Sequence, residues 1–468
     1  MPLTRRGFLS GTGAAAAASR WLTSARAQEV AASPEAKRPP NILVLIADDL
    51  RFDAMGAMLN RVVRTPNLDA LAERGVLFAK HFVTTSICPV SRASIYLGQY
   101  ARRHKIWNFA TPLKPEQVDE SYFALLRDTH LIGFVGKWGL SEAPPKTHFD
   151  YWAGYTGQGR YFETSEPTGP HLTQRQTEHA TTFIEQARAA NAPFALTVCY
   201  KAPHGQDGET PEFQYDGAFS DWYANVTMPR PATATEHHFE RLPQFLRTSE
   251  SRKRWHARFG AEERFQETVR SYYRLVSGVD ASIGTMISRL EKLGQLDNTI
   301  IVFTSDNGFM FGEHGLAGKW WMFEESIRVP MLICPPRGSG PRTGRVVNEF
   351  TLNIDVTPTL LDAIGRPIPA SCQGKSVWGM VEGTTASVRD DFYYEFFFEH
   401  PGIGKSEGVR TRDWKYISWP EQEQHREMLF NLVDDPLEET DLARDPGFSE
   451  RKVGLRNRML ALRGELDS

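Results

Sequence analysis

The chain's first strongly apolar run, Asn41 to Asp49, stops on two carboxylates, and the sequence then repeats that pattern. LIGFVGK closes on Lys137, PFALTVCYKAPH on His204, NTIIVFTSDNG runs past Asp306-Asn307, and VPMLICPP ends near Pro335. Continuous apolar runs bounded by polar residues read as strands buried on both faces, as in parallel sheets. Helical patterns lie between them: SYFALLRD, LTQRQTEHATTFIEQARAAN, and a long amphipathic stretch from about Glu262 to Leu293. This alternation predicts an α/β fold, a large mixed but mostly parallel sheet sandwiched by helices. In open α/β sheets the ligand crevice lies outside the carboxyl ends of the strands. Asp48, Asp49, Lys137, His204, Asp306 and Asn307 all follow such ends. One polar residue there means little, but five strands converging on one edge predict a site.

At 468 residues the chain suits one large domain, or one large and one small. From roughly Gly374 the texture changes. DDFYYEFFFEH, GVRTRDWKYISWPE and EMLFNLVDDP suggest short antiparallel strands, followed by a helix from Ser449 to Leu466. We expect a smaller C-terminal α+β subdomain over residues 374–468 and a catalytic domain over 28–373, with Gly205 to Gly260 a long loop-rich insertion. Residues 1–27 read as a twin-arginine export signal: Arg5-Arg6, then Gly7-Phe8-Leu9, a weakly apolar alanine run, and Ala25-Arg26-Ala27 before the cleavage point. The expected location is therefore periplasmic or secreted, with no stable membrane association. A net charge of −3 gives no electrostatic case for nucleic acid.

Asp48-Asp49 and Asp306-Asn307 offer only hard oxygen donors, which suit Ca²⁺, or Mg²⁺, better than zinc. The four cysteines are too few for a disulfide framework and form no C-x-x-C pair. Cys199 and Cys334 sit in apolar runs and read as small buried hydrophobes. Cys88 stands just before an apparent helix start at Ser91, with Arg92 four residues on, so the two share a helix face. The residues alone leave Cys88 open as core thiol, metal ligand, nucleophile or precursor of another group.

NILVLIADDLR, CPVSRASIYLGQYARRH, GFVGKWGL, YKAPHG, TSDNGFMFGEHGLAGKWWMFEESIRVP and DVTPTLLDAIG occur in that order. Together with LFNLVDDPLEETDLA they resemble the formylglycine-dependent type I sulfatases of the alkaline phosphatase superfamily, bacterial polysaccharide and glycosaminoglycan enzymes among them. The resemblance implies that a maturation enzyme oxidises Cys88 to formylglycine (3-oxoalanine), whose hydrate attacks the sulfur of a sulfate ester. It implies Asp48, Asp49, Asp306, Asn307 and the modified Cys88 as ligands of Ca²⁺. It further implies Arg92 as the group holding the diol, Lys137 beside diol and sulfate, His204 facing the sulfate, and Lys319 beside the leaving oxygen. Two positions depart from the family pattern. Val90 stands where the maturation motif has proline, and Gly139 where the G-K-W motif continues with histidine. His314 is a candidate substitute for that histidine.

The substrate side is written in HFDYWAGYTGQGRYF, with Gln158 and Arg160, and in YYEFFFEHPG, with Glu399 and His400. Both suggest loops lining a sugar subsite, so the expected substrate is a sulfated polysaccharide or oligosaccharide. Two alternatives share the motifs: a phosphate or phosphonate ester hydrolase of the same superfamily, and a non-catalytic binder of sulfated glycans.

Overall fold

The computed structural model describes residue 26 and residues 38–164, 168–337, 344–422 and 426–467. The export-signal reading therefore falls, Arg26 apart, outside the described residues. Among the described residues no helix is long and apolar enough to cross a membrane.

The large sheet holds eight strands: β1 (Asn41–Asp48), β2 (Val76–Phe82), β3 (Leu131–Lys137), β4 (Tyr151–Tyr155), β5 (Phe194–Pro203), β6 (Thr299–Ser305), β9 (Arg328–Cys334) and β10 (Arg345–Leu352). Met310–Phe311 and Ala317–Gly318, β7 and β8, form a small hairpin between β6 and β9. The order across the large sheet is β10-β2-β9-β6-β1-β5-β3-β4. The sheet is mixed and mostly parallel, as expected. The strand VPMLICPP is the exception: β9 runs antiparallel to both of its neighbours, β6 and β2. Its carboxyl end points to the opposite edge, so four strands, not five, bring their polar ends together.

Every residue of β1 is buried, and its side chains alternate between two cores. Leu43, Leu45 and Ala47 face the helices Leu172–Ala189 and Glu262–Lys292, meeting Phe183, Val276 and Ile283. Ile42, Val44 and Ile46 face the other layer, with Ile95 and Tyr96 of the helix Cys88–Leu97 and Leu360 of the helix Val356–Ala363. Both faces of the sheet are thus covered, which is why its central strands carry no polar alternation.

Beyond this sandwich, β11 (Asp391–Phe396), β12 (Ser406–Thr411), β13 (Trp414–Trp419) and β14 (Arg426–Asn431) form a four-stranded antiparallel sheet, followed by the helix Ser449–Asp467. A third core joins it to the first unit: Phe82, Val90 and Trp321 pack with Phe392, Tyr416, Leu429 and Leu455. The 205–260 segment carries several short helices, the longest being Glu250–Phe259.

Candidate active site

β6, β1, β5 and β3 lie side by side, and their register sets the site. Ala47 pairs with Ser305, which puts Asp48 and Asp306 at adjacent strand ends. The Asp306 N–H donates to the Ala47 carbonyl at 3.1 Å, continuing the ladder one step. Asp49 has a left-handed backbone, φ 64°, uncommon for a residue with a Cβ. The surroundings hold it there: Tyr272 Oη donates to its carbonyl at 2.6 Å, and the Leu50 N–H donates to Ser305 Oγ at 2.9 Å. The fifth contributor is a helix start. Ile87 is extended and the helix begins at Cys88, with Pro89 in the first turn, where a missing N–H costs no intrahelical bond. Arg92 follows one turn later on the same face.

These elements bring the predicted residues to one buried point. Cys88 Sγ lies 3.1 Å from Asp48 Oδ1 and 3.0 Å from Lys319 Nζ. Lys137 Nζ donates to Asp48 Oδ2 at 2.5 Å and to Gln158 Oε1 at 2.7 Å. Arg92 donates through Nε to Asp306 Oδ2 at 2.8 Å and through Nη1 to the Lys137 carbonyl at 2.6 Å. Lys319 and Asn307 both donate to Asp49 Oδ1. His204 Nε2 lies 3.7 Å from Asp49 Oδ2, while its Nδ1–H donates to the Gly205 carbonyl at 2.6 Å. Asp48, Asp49, Cys88 and His204 offer ligand atoms within 4.8 Å of one another. Asp306 stands slightly apart from that group, its carboxylate taken up by Arg92 and by the Asp49 N–H.

The electrostatics follow from burying so many charges together. Burial alone would raise the Asp48 carboxyl, but Lys137, His204, Arg92 and Lys319 outweigh it and hold it well below the carboxylate range. Asp306 goes the other way, to about 6, through burial and the nearby Asp48 charge. Burial, with Asp306 and Asp48, pushes the Cys88 thiol up. A thiol held protonated is a poor nucleophile. Burial pushes His204 down to about 4 against the pull of Asp49. Lys137 and Lys319 are raised despite burial, by Asp48 and Asp49 respectively.

Three candidates lie elsewhere. Arg160 turns outward and pairs with Glu209 at 3.0 Å. His314 is buried against Phe323, ring centroids 4.7 Å apart, with His238 on its other side. Among the described residues its ring neighbours are Phe323 and His238, neither of which belongs to the group gathered around Cys88. Arg92 packs close against Gly139: a Cβ there, φ +80°, would sit 2.6 Å from Arg92 Cδ. His400 is exposed on a loop that meets Glu250 through Gly402. One residue near the site escaped the sequence reading. Lys201 interrupts the apolar run of β5 three residues before His204, and it is fully buried. A lone lysine inside a buried strand was the available signal.

The model of the Sulfatase family matches residues 40–366, and that of the N-sulphoglucosamine sulphohydrolase C-terminal region matches residues 312–465. An N-acetylglucosamine-6-O-sulfatase of Bacteroides thetaiotaomicron is 28% identical, over 86% of this chain and 82% of its own length. An ulvan-active sulfatase of Formosa agariphila is 26% identical, over 87% and 78%. Among solved structures, BT4656 in complex with its substrate D-glucosamine-2-N,6-O-disulfate superposes with a TM-score of 0.76 at 25% identity, covering 92% of this chain and 98% of that one. A phosphonate monoester hydrolase of Agrobacterium radiobacter, at 22% identity and a TM-score of 0.75 over 91% and 96%, shares the fold. With a family model spanning most of its length and its motif residues gathered at one sheet edge, the chain belongs to the sulfatases, type I sulfuric ester hydrolases of the alkaline phosphatase superfamily.

Proposed function

We propose that the protein is an exported sulfatase that cleaves sulfate esters on a polysaccharide or oligosaccharide, using a formylglycine made from Cys88 and a bound Ca²⁺. One observation carries this reading: Cys88 Sγ sits between Asp48 and Lys319, at 3.1 and 3.0 Å, on an edge of buried oxygen donors. The donor set fits a hard cation. Asp48, Asp49, Asp306 and Asn307 would hold it, and Asn307 Oδ1 is buried with no hydrogen-bond partner among the described residues. Among the described residues the only metal-compatible cluster is the one at Cys88. A two-metal phosphatase would need a second, rich in histidine and aspartate. Bound, the cation would supply positive charge against the charge developing on the sulfate, and the matured residue 88 would supply the nucleophilic oxygen.

The chain's own residues do the rest. Arg92, tied to Asp306 and to the Lys137 carbonyl, fixes the first turn of the Cys88 helix against the strand ends. Lys137 and Lys319 direct two ammonium groups at the reacting position, preorganised in a site from which water is largely excluded. Asp48, Arg92, Lys137, Asp306 and Asn307 are 0% exposed, while Lys319 and His204 are 6% and 7% exposed. The substrate therefore approaches from the Lys319 and His204 side, and that pair faces the leaving oxygen, where a proton is needed. The glycan assignment rests on relatives: one named for N-acetylglucosamine 6-O-sulfate, one for ulvan, and one solved with a glucosamine disulfate. On this reading residues 1–27 are the export signal, 28–373 the catalytic domain and 374–468 a smaller C-terminal subdomain.

Purified protein from a host that matures type I sulfatases tests the proposal, with sulfated and phosphorylated aryl esters and a panel of sulfated glycans. Release of inorganic sulfate, abolished by Cys88→Ala, is expected. Turnover confined to phosphate or phosphonate esters would replace this reading with a hydrolase of those anions. Saturable glycan binding without turnover would replace it with a binding protein.

A further inference from the structure

We propose that Lys201 is a positioning residue of the active site, a single buried ammonium that fixes the loops presenting Gln158 and His204 and, through Gln158, holds Lys137. The inference deepens the sulfatase reading and rests on it for the reaction that reports the effect.

Lys201 is 0% exposed, and among the described residues no carboxylate forms an ion pair with it. Its ammonium instead donates to two backbone carbonyls, Gln158 at 3.1 Å and Gly205 at 3.3 Å, and lies 5.1 Å from the centroid of the Tyr161 ring. A buried charge whose direct contacts are carbonyls and a ring face, with Asp48, Asp49 and Asp207 acting on it only from farther off, is costly to keep, so a plain packing role is a poor reason for it. Both acceptors are one step from groups around Cys88. The residue whose carbonyl Lys201 holds, Gln158, presents Oε1 to Lys137 Nζ at 2.7 Å. The other carbonyl, that of Gly205, is the one that accepts the His204 Nδ1–H at 2.6 Å and so sets which ring nitrogen faces the site.

Further bonds close the same seam. Tyr161 Oη donates to the His204 carbonyl at 2.7 Å. Gln206 accepts from the Tyr161 N–H and donates to the Gly159 carbonyl, both at 3.3 Å. The loops after β4 and β5 are thus stitched into one wall with Lys201 at its centre. Lys137 has Asp48 and Gln158 as its side-chain partners, so its orientation depends in part on the placement of Gln158.

The test compares Lys201→Met, Gln158→Ala and the double variant in the matured enzyme, with 4-nitrophenyl sulfate as probe. Each single variant is expected to lose roughly 10- to 100-fold in kcat, the cost of a misplaced group, with KM within about twofold and a melting temperature near wild type. The double variant should be no worse than the poorer single one, since both break one linkage. A crystal structure of Lys201→Met should show Gln158 Oε1 beyond hydrogen-bonding distance of Lys137 Nζ. An unchanged kcat, losses that multiply in the double variant, or an intact Gln158–Lys137 contact in that crystal structure would each overturn the inference. If Lys201→Met does not fold, Gln158→Ala decides alone, an unchanged kcat again being fatal. Wild-type enzyme inactive on sulfate esters would sink the sulfatase reading instead, and the crystal structure would still decide the role of Lys201.

Discussion

At the scale of single residues, Gly139 shows how a missing Cβ shapes a site. The sequence displays only that a histidine is absent there. The structure adds that Arg92 lies where its Cβ would go, and that φ is +80°. Gly139→His is therefore expected to destabilise the fold by roughly 1–3 kcal/mol through backbone strain, and to lower kcat by displacing Arg92. Chemical denaturation and steady-state kinetics check both, and a histidine that raised turnover would contradict the account. His81 gives a second residue-scale test. It is buried on β2 beside Thr351, and burial, aided by Arg389, pushes it down to about 3. Unfolded, it titrates near 6.5, so the unfolded chain takes up this proton first and stability is lost as pH falls from about 6.5 toward 3. The gap in stability between wild type and His81→Gln should shift against wild type by up to about 1.4 kcal/mol per pH unit in that window. A pH-independent gap would refute it. Asp48, Asp49, Lys137, His204 and Asp306 were legible because they sit at the ends of apolar runs, whereas Arg92 and Lys319 gained their roles only through the family resemblance. Lys201 was marked only by its place inside an apolar run, and that signal does not say which groups its ammonium bonds. His314 misled for the converse reason: its motif is near the site in sequence, while its ring stacks on Phe323.

At the scale of elements, the strands were readable and their directions were not. Burial on both faces gives β9 the same apolar pattern as its parallel neighbours, so composition cannot reveal that it runs backwards. The helix at Cys88 starts three residues earlier than the sequence reading placed it, because Pro89 fits a first turn as well as it fits a loop. Helix starts also depend on distant partners. Thr65 makes no side-chain cap for the helix Pro66–Arg74. Asp280, from the long helix Glu262–Lys292, accepts from the Asn67 N–H at 3.0 Å, the Leu68 N–H at 2.8 Å and Asn67 Nδ2 at 2.8 Å. Asp280→Ala leaves the buried Leu68 N–H and the half-buried Asn67 donors without this partner and should cost about 1–3 kcal/mol with KM unchanged. A melt indistinguishable from wild type would show that the helix start does not need Asp280.

At the scale of the whole molecule, the two sheets share a core, and the site lies against their junction. The Tyr394 hydroxyl accepts from the Ser86 N–H at 3.4 Å and donates to the Trp320 carbonyl at 3.0 Å, so β11 braces the segments flanking both Cys88 and Lys319. A chain ending at residue 373 would uncover Phe82, Val90, Trp321 and Phe323. We expect it to be insoluble or inactive, and the full chain to unfold in one cooperative transition seen alike by fluorescence and circular dichroism. Separate transitions would mean that the subdomain folds independently. What the motif order made legible was the family and the edge that carries the chemistry; what it left hidden was how Val90 behaves in the chain before folding, since maturation reads an extended segment. The peptide spanning Cys88 therefore decides the central claim, analysed by mass spectrometry after purification from a host that matures C-x-P-x-R sulfatases. The account predicts the mass of formylglycine at position 88. An unmodified cysteine there, from that same host, would contradict it.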